Sequence, residues 1–208
     1  MHRFGLIFDK KHKRPLVKED YECAGIEGLF RDVSLDLIPK DAPYYGKLSG
    51  YIDTLEDRIN NGIGLILAGE HGGGKSAAAV IVVKEVISRG GSSLFIEEDA
   101  LIGAVLKGDR FGENSTYLER ARNVDLLVID DLGLSATSDN LHIIEPLVKF
   151  RLRRKRRPTV LTTNLKVDSF RDRYPTLADL GKEAFIGVVC RGVAWRDILA
   201  ERLKQSLG

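Results

Sequence analysis

The segment GEHGGGKS, Gly69–Ser76, restricts the possible folds of this chain more than any other part of its sequence. It matches the pattern GxxxxGK[ST], and it lies between an apolar run at 63–68 and a helix predicted over Lys75–Ser88. Glycines at this spacing let backbone N–H groups turn inward around an anion, and the helix presents its positive end to the same anion. The segment therefore predicts a strand–loop–helix unit that binds the phosphates of ATP or ADP.

Each residue of this loop has an expected role. Lys75 places a cation on the β- and γ-phosphates, and the hydroxyl of Ser76 binds Mg²⁺. The predicted nucleotide-binding set is Gly69, Glu70, His71, Gly72, Gly73, Gly74, Lys75, Ser76 and Ala77. A glycine-rich turn without a ligand is the alternative, but the lysine, the serine and both flanking elements disfavour it.

A second group of candidate catalytic residues follows two later apolar runs. The run at 126–129 ends in Asp130 and Asp131, and the run at 160–163 ends before Asn164. Ligands bind at the carboxyl ends of parallel strands. We therefore predict that Asp130 binds Mg²⁺ directly or through water, and that Asp131 orients or deprotonates the attacking water. The amide of Asn164 is expected to contact the γ-phosphate or that water.

Strands and helices alternate along the chain, which indicates an α/β fold. Continuous apolar strands that alternate with helices predict a parallel sheet covered on both faces. The predicted strands are 63–68, 93–96, 126–129, 160–163 and 185–189, and the predicted helices are 48–60, 75–88, 99–106, 115–121, 140–154 and 194–205. Two glycines mark 107–114 as a loop, and Pro146 predicts a late start or a bend in the helix over 140–154.

Composition limits the domain count and the class of protein. The chain has 208 residues, 43% of them hydrophobic, which is enough for one domain with a core. Residues 1–20 are basic and broken by Pro15, so we expect a partner-binding arm before a domain over 21–208. No stretch approaches the roughly 20 apolar residues that span a membrane. Cys23 and Cys190 form neither a zinc motif nor a disulfide framework, which favours a cytoplasmic location.

Because the net charge is only +2, any argument for nucleic-acid binding depends on local clusters of cations. Residues 151–157 hold six basic side chains in seven positions. They form either a solvated helix end or a phosphate-contacting patch, and Arg151 could instead face a nucleotide site between subunits. The region 99–123 interleaves cations with Phe111 and Tyr117, which suits single-stranded DNA or ordinary packing. The candidate DNA contacts are Lys107, Arg110, Arg153, Arg154 and Arg156.

These motifs in this order resemble the AAA+ ATPases, and within them the DnaC/DnaI helicase loaders and the IstB transposition helper. The similarity runs from about Tyr21 to about Arg196 and is sharpest in DLLVIDDLG (Asp125–Gly133) and RPTVLTTNL (Arg157–Leu165). The segments AGIEGLFRDVSLD and GVAWR resemble further parts of those loaders. The resemblance implies a three-layer P-loop NTPase fold of the AAA+/RecA-like kind, with a central parallel five-stranded sheet and little or no separate lid domain.

The resemblance also implies an activity and partners. The expected protein hydrolyses ATP, assembles head-to-tail as an ATP-dependent homo-oligomer, and loads a replicative hexameric helicase onto single-stranded DNA. A compact loader of this kind suits a phage or a mobile element. Arg196 is either a second ATP sensor within the same subunit or an ordinary surface arginine.

One departure from the loaders concerns catalysis between subunits. Their motif GERxxSRL, whose arginine reaches a neighbouring ATP site, is absent, and Arg171 or Arg173 are possible substitutes. Such an arginine contributes on the order of 10³–10⁵ in rate, so hydrolysis by this protein alone is expected to be slow. Two alternatives stay open: an IstB-like transposition helper that binds duplex DNA, and an ATP-switched DNA-binding adaptor with little turnover.

Overall fold

A five-stranded sheet lies at the centre of the computed structural model, which describes residues 13–111, 116–133 and 139–192 together with Trp195 and Ile198. The strands are β1 (Gly64–Ala68), β2 (Ser93–Glu97), β3 (Leu126–Leu132), β4 (Thr159–Thr163) and β5 (Phe185–Val189). Their order is β2-β3-β4-β1-β5, and every neighbouring pair is parallel. The predicted α/β class with a parallel five-stranded sheet is confirmed.

Helices connect the strands and cover both faces of the sheet. They are α1 (Lys18–Ala24), α2 (Tyr45–Asp53), α3 (Leu55–Asn61), α4 (Lys75–Ser88), α5 (Glu98–Phe111), α6 (Thr116–Asn123), α7 (Asp139–Phe150), α8 (Val167–Arg173) and α9 (Pro175–Ala184). Two short 3₁₀ turns, Gly28–Phe30 and Leu35–Leu37, follow α1, and a π-helical turn, Arg151–Lys155, follows α7. Among the described helices, none combines the length and the apolar character needed to cross a membrane.

Each face of the sheet has its own hydrophobic cluster, because successive strand residues point to opposite faces. Val128 and Val160 belong to the cluster formed with α2, α3 and α4. Leu127, Ile129 and Leu161 belong to the cluster formed with α5, α6, α7 and α9. The two clusters give the molecule three layers, and they hold the ends of β1, β3 and β4 in fixed relative positions.

Several element bounds differ from the sequence predictions. The helix predicted over 48–60 is two helices, which meet at Thr54, where the threonine hydroxyl donates to the Gly50 carbonyl (2.8 Å) and competes with helical bonding. The loop predicted over 107–114 is wrong for 107–111, because the buried residues Leu101 and Val105 anchor α5, which continues to Phe111. Pro146 lies inside α7, which begins at Asp139 and therefore does not start late.

The ends of the chain differ in how far they are described. Lys13 forms an ion pair with Glu85 of α4 (2.8 Å), and the backbone N–H of Arg14 donates to the Ser88 carbonyl (3.0 Å). The helix α1 spans the boundary predicted at residue 20. Residues 1–12 of the predicted arm lie outside the described residues, as does most of the helix predicted over 194–205.

Candidate nucleotide-binding site

The predicted site residues lie at the carboxyl edge of the sheet. The strands β3, β4 and β1 are neighbours and run parallel, so their last residues and the loops that follow lie side by side. This arrangement brings together the loop after β1, the two acids at the end of β3, and Asn164 after β4. Open α/β sheets bind ligands at this edge.

The glycine-rich loop packs against the backbone of Cys190, directly after β5. A side-chain carbon at Gly69 would overlap the Cys190 carbonyl oxygen, and one at Gly73 would lie 2.7 Å from the same oxygen. The N–H of Cys190 in turn donates to the Ala68 carbonyl (2.8 Å). Gly72 has a φ of 80°, a backbone conformation that favours glycine. Close backbone contact, rather than flexibility alone, therefore requires glycine in this loop.

Lys75 begins α4 and reaches back across the loop. Its ammonium donates to the Glu70 carbonyl (2.9 Å), and the residue is 5% exposed. Burial lowers the pKa of Lys75, whereas the neighbouring Asp131 and Asp130 raise it. The ammonium lies within the loop and near enough to both carboxylates to interact with their charges, which is where a cation would neutralise phosphate oxygens.

Asp130 is buried at the end of β3, with 4% of its surface exposed. The Thr162 hydroxyl donates to its Oδ1 (2.6 Å), and the Ser76 side chain is also hydrogen-bonded to it. Burial raises the pKa of Asp130, and the two hydroxyl partners lower it in part. A carboxylate beside a hydroxyl offers the oxygen ligands that Mg²⁺ prefers.

The fit to Mg²⁺ depends on the nucleotide. Among the described residues, no group of three His, Cys, Asp or Glu side chains is arranged to hold a metal ion. Mg²⁺ usually keeps several waters and binds through one or two protein oxygens plus the phosphates of a substrate. Ser76 and Asp130 fit that second mode, in which the phosphate oxygens of ATP complete the shell.

Asp131 lies in a bulge of β3. The register of β3 against β4 shifts between Ile129 and Leu132, and Asp131 has a φ of 54°. Its N–H donates to the Thr162 hydroxyl (2.9 Å), so one threonine holds both acids. A residue other than glycine in this conformation carries backbone strain of order 1–3 kcal/mol, which functional sites often retain. The bulge therefore fixes the position of Asp131 independently of the position of Asp130.

Asn164 follows β4 and has an unpaired side chain. Both its Nδ2 and its Oδ1 are buried without a hydrogen-bond partner. An unpaired buried polar group costs about 1–3 kcal/mol, so such an amide is expected to gain a partner in a bound state. A γ-phosphate oxygen at this edge of the sheet would accept from the amide nitrogen, and an attacking water would donate to the amide oxygen.

The comparisons with known proteins agree with this geometry. Residues 52–180, more than half of the chain, match the family model described as IstB-like ATP binding protein. The chain belongs to the IstB-like ATP-binding family. No curated protein sequence matches it at a significant level.

Solved structures similar to this IstB-like protein include the DnaC helicase loader, with a TM-score of 0.69 and 18% identity over 79% of this chain and 100% of that chain. DnaI has a TM-score of 0.68 and 18% identity over 77% and 92% of the two chains. AMPPCP-bound DnaA from Aquifex aeolicus has a TM-score of 0.67 and 16% identity over 86% and 57%. At these identities the structural similarity shows the fold, and the family match confirms the predicted IstB family.

Glu98 is a site residue of the IstB-like protein that sequence reasoning missed. Its buried carboxylate accepts hydrogen bonds from the Gly133 N–H (3.0 Å) and from the Tyr174 hydroxyl (2.6 Å). Gly133 lies two positions after Asp131, so Glu98 holds the chain that leaves the bulge. The available signal was the pair of acids Glu97 and Glu98 that follows a predicted strand, at the same carboxyl edge as Asp130 and Asp131.

Replacing Glu98 with alanine is expected to destabilise the IstB-like protein by about 2–4 kcal/mol, because two buried donors lose their acceptor. The free energy of unfolding from urea titration measures this loss. Glu97→Ala is the matched control, since that neighbouring acid is exposed and its loss should change stability by less than about 0.5 kcal/mol. Equal stability of the two variants would contradict the supporting role of Glu98.

The predicted DNA contacts of the IstB-like protein lie away from this edge. Arg153, Arg154 and Arg156 are exposed and precede β4, so they lie at the amino edge of the sheet. The backbone places Lys107 and Arg110 in the last turn of α5, and their side chains lie outside the described residues. The structure therefore separates the basic cluster from the nucleotide-binding edge.

The position of Arg151 contradicts the suggestion that this residue could face a nucleotide site between subunits. It is fully buried, and its guanidinium donates to the carbonyls of Ala121 (2.6 Å), Val124 (2.9 Å) and Pro158 (2.8 Å) and to the hydroxyl of Thr159 (3.1 Å). A role at a nucleotide site between subunits is wrong for this residue. Its hydrogen bonds instead join the π-helical turn to the starts of β3 and β4.

The remaining candidate arginines differ in exposure. Arg171 has 64% of its side chain exposed and lies 3.9 Å from Asp168. Arg173 lies over the ring of Tyr174 (5.9 Å from the guanidinium carbon to the ring centroid). Arg196 lies outside the described residues. Arg171 is therefore the more accessible of the two described candidates for a contact with a neighbouring subunit.

Proposed function

We propose that this protein binds ATP with Mg²⁺ and hydrolyses it slowly. The observation that carries the proposal is the convergence of Lys75, the acids Asp130 and Asp131, and the unpaired amide of Asn164 at one edge of the sheet. A phosphate loop without an acid-lined edge would support binding alone. The presence of both the phosphate loop and the acids supports activation of a water molecule next to a γ-phosphate.

The roles of the residues follow from their positions. Lys75 neutralises charge on the β- and γ-phosphates, while Ser76 and Asp130 would hold Mg²⁺, which would supply further positive charge to the phosphates. Asp131 orients the attacking water and accepts its proton, and Asn164 fixes the γ-phosphate relative to that water. The sequence has no GERxxSRL motif to supply an arginine to a neighbouring ATP site. We therefore propose that the missing positive charge comes either from Arg171 of a neighbouring subunit or from a partner protein.

We further propose that the protein acts in DNA replication and loads a replicative hexameric helicase onto single-stranded DNA as a head-to-tail homo-oligomer. Two similar structures support this proposal through the proteins and ligands that they contain. One is a DnaC helicase loader, and another is the replication initiator DnaA bound to AMPPCP and single-stranded DNA. The exposed arginines Arg153, Arg154 and Arg156 provide a candidate surface for the DNA backbone.

A transposition helper that binds duplex DNA is the second candidate. It is favoured by the family match, whose description names IstB-like proteins. The third candidate, an ATP-switched DNA-binding adaptor with little turnover, is favoured by the absence of the GERxxSRL motif from the sequence. Both share the ATP site and differ from the loader in partner and in turnover.

Size-exclusion chromatography with a replicative hexameric helicase, in the presence of ATP or ADP, separates these functions. Co-elution that requires ATP, together with phosphate release stimulated by single strands, supports the loader. Preference for duplex DNA without helicase co-elution supports the transposition helper. Tight ATP binding without phosphate release, with or without DNA, supports the adaptor and contradicts the proposed hydrolysis.

Charge reversal at the basic cluster tests the DNA contact. The double variant Arg154→Glu/Arg156→Glu is expected to weaken single-stranded DNA binding at least ten-fold and to reduce its salt dependence, because fewer counterions are released. Fluorescence anisotropy of a labelled oligonucleotide at several salt concentrations measures both effects. Lys18→Glu/Lys40→Glu, which makes the same net charge change at exposed residues elsewhere, is the control. Equal affinity of the two double variants would contradict a DNA contact at the cluster.

A further inference from the structure

Tyr44 and Trp195 form a buried pair outside the phosphate loop, the two acids and Asn164, and Trp195 belongs to the segment GVAWR. Tyr44 directly precedes α2, and Trp195 lies beyond β5. The indole Nε1 of Trp195 donates a hydrogen bond to the Tyr44 hydroxyl (3.0 Å). Tyr44 is 1% exposed and Trp195 is 4% exposed, so the hydrogen bond is shielded from water.

The pair packs directly against the phosphate loop at Gly74. A side-chain carbon on Gly74 would overlap the indole Nε1 and Cδ1 of Trp195 and would lie 2.9 Å from the Tyr44 hydroxyl. Gly74 has a φ of 85° and is the residue before Lys75, at the start of α4. The two aromatic side chains therefore pack directly against the backbone of Gly74, which precedes Lys75.

Because Tyr44 and Trp195 contact the phosphate loop itself, their contact affects nucleotide binding. Three consecutive glycines make residues 72–74 the part of the loop with the greatest conformational freedom, and glycine loses more entropy on ordering than any other residue. A rigid aromatic pair that already holds Gly74 reduces the ordering cost at the moment a ligand binds. A core contact elsewhere in the domain would stabilise the fold without this effect.

We propose that Tyr44 and Trp195 are positioning residues that pre-order the phosphate loop, and that their contact with Gly74 sets the affinity of the site for nucleotide. The proposal rests on the proposed ATP binding. Because the pair contacts the loop backbone next to Lys75, it acts on ATP and ADP alike and leaves the rate of the bound complex unchanged. It also links nucleotide occupancy to the segments that carry Tyr44 and Trp195.

Intrinsic fluorescence reports this contact directly, since Trp195 is the single tryptophan of the chain. Titration of the wild-type protein with ADP or ATP and Mg²⁺ is expected to change its emission intensity or wavelength, with a midpoint equal to the Kd measured by calorimetry. Saturating nucleotide that leaves the emission unchanged, while calorimetry shows binding, would overturn the proposal.

Two tyrosine variants separate positioning from general stability. Tyr44→Phe removes the acceptor of Trp195, whereas Tyr51→Phe removes an equally buried hydroxyl that donates to the Ile63 carbonyl (2.7 Å) away from the loop. We expect Tyr44→Phe to raise the Kd of both ATP and ADP about five-fold, with kcat at saturating ATP unchanged. Tyr51→Phe should lower the melting temperature and leave both Kd values unchanged.

The outcomes distinguish this inference from the function on which it rests. If the folded wild-type protein binds no ATP in calorimetry, both the proposed function and the inference fail. If it binds ATP, but Tyr44→Phe binds as tightly as the wild type or no more weakly than Tyr51→Phe, the inference alone fails. A selective loss of affinity in Tyr44→Phe, with circular dichroism unchanged, supports it.

Discussion

Replacing Lys75 with alanine is expected to weaken ATP binding about 100-fold, equivalent to about 2.7 kcal/mol, while the protein stays folded. The ammonium lies within the glycine loop and within reach of the charges of Asp130 and Asp131, and its present partner is the Glu70 carbonyl. Without it, Mg²⁺ alone would have to offset the charges of the phosphate oxygens and the two carboxylates. Calorimetric titration with ATP and Mg²⁺ measures the effect.

Lys84→Ala is the matched control, because Lys84 is a half-buried lysine of the same helix. Its ammonium donates to the carbonyls of Arg31 (2.6 Å) and Val33 (2.7 Å), far along α4 from the loop. This variant should lose stability through two unpaired carbonyls and keep its ATP affinity. If the Lys75 variant bound ATP as tightly as the Lys84 variant does, the phosphate site would be refuted.

Replacing Asp131 with asparagine is expected to lower the rate of ATP hydrolysis about 100- to 1000-fold and to leave ATP bound, because the amide cannot accept the proton of water. Asparagine also tolerates the left-handed conformation that Asp131 adopts, so the bulge should persist. Phosphate release at saturating ATP measures the rate, and calorimetry confirms the binding.

Asp57→Asn, at an exposed position of α3, removes the same charge outside the site. Its rate should equal that of the wild type. An unchanged rate in the Asp131 variant would exclude the role assigned to that carboxylate, while a loss of ATP binding would place Asp131 in the binding of Mg²⁺ instead.

Local patterns predicted the parts of the fold that depend on local sequence. The helix α4 and the strand β5 have the same bounds as predicted, because a glycine loop marks the start of the first and a short apolar run defines the second. The polar end of β3 was missed. Asp130 and Asp131 end an apolar run, but the Thr162 hydroxyl, which accepts from the Asp131 N–H and donates to the Asp130 carboxylate, keeps them in the strand.

The supporting contacts of the site could not be predicted, because they join residues far apart in sequence. Tyr174 donates to Glu98, and Trp195 donates to Tyr44, over sequence separations of 76 and 151 residues. Each residue alone matches an ordinary surface or core position. The buried state of Arg151 was likewise invisible, since it lies in a run of exposed arginines and only the packing of α6 and β4 covers it.

The strand β4 has the basic cluster before its first residue and Asn164 after its last. Its five residues are all buried, and parallel neighbours hold it on both sides. At about 3.3 Å per residue, the strand alone accounts for about 16 Å of the separation between the arginines and the amide. Because the ladder hydrogen bonds on both sides would have to break before this strand could shift, β4 is a fixed spacer between the two surfaces.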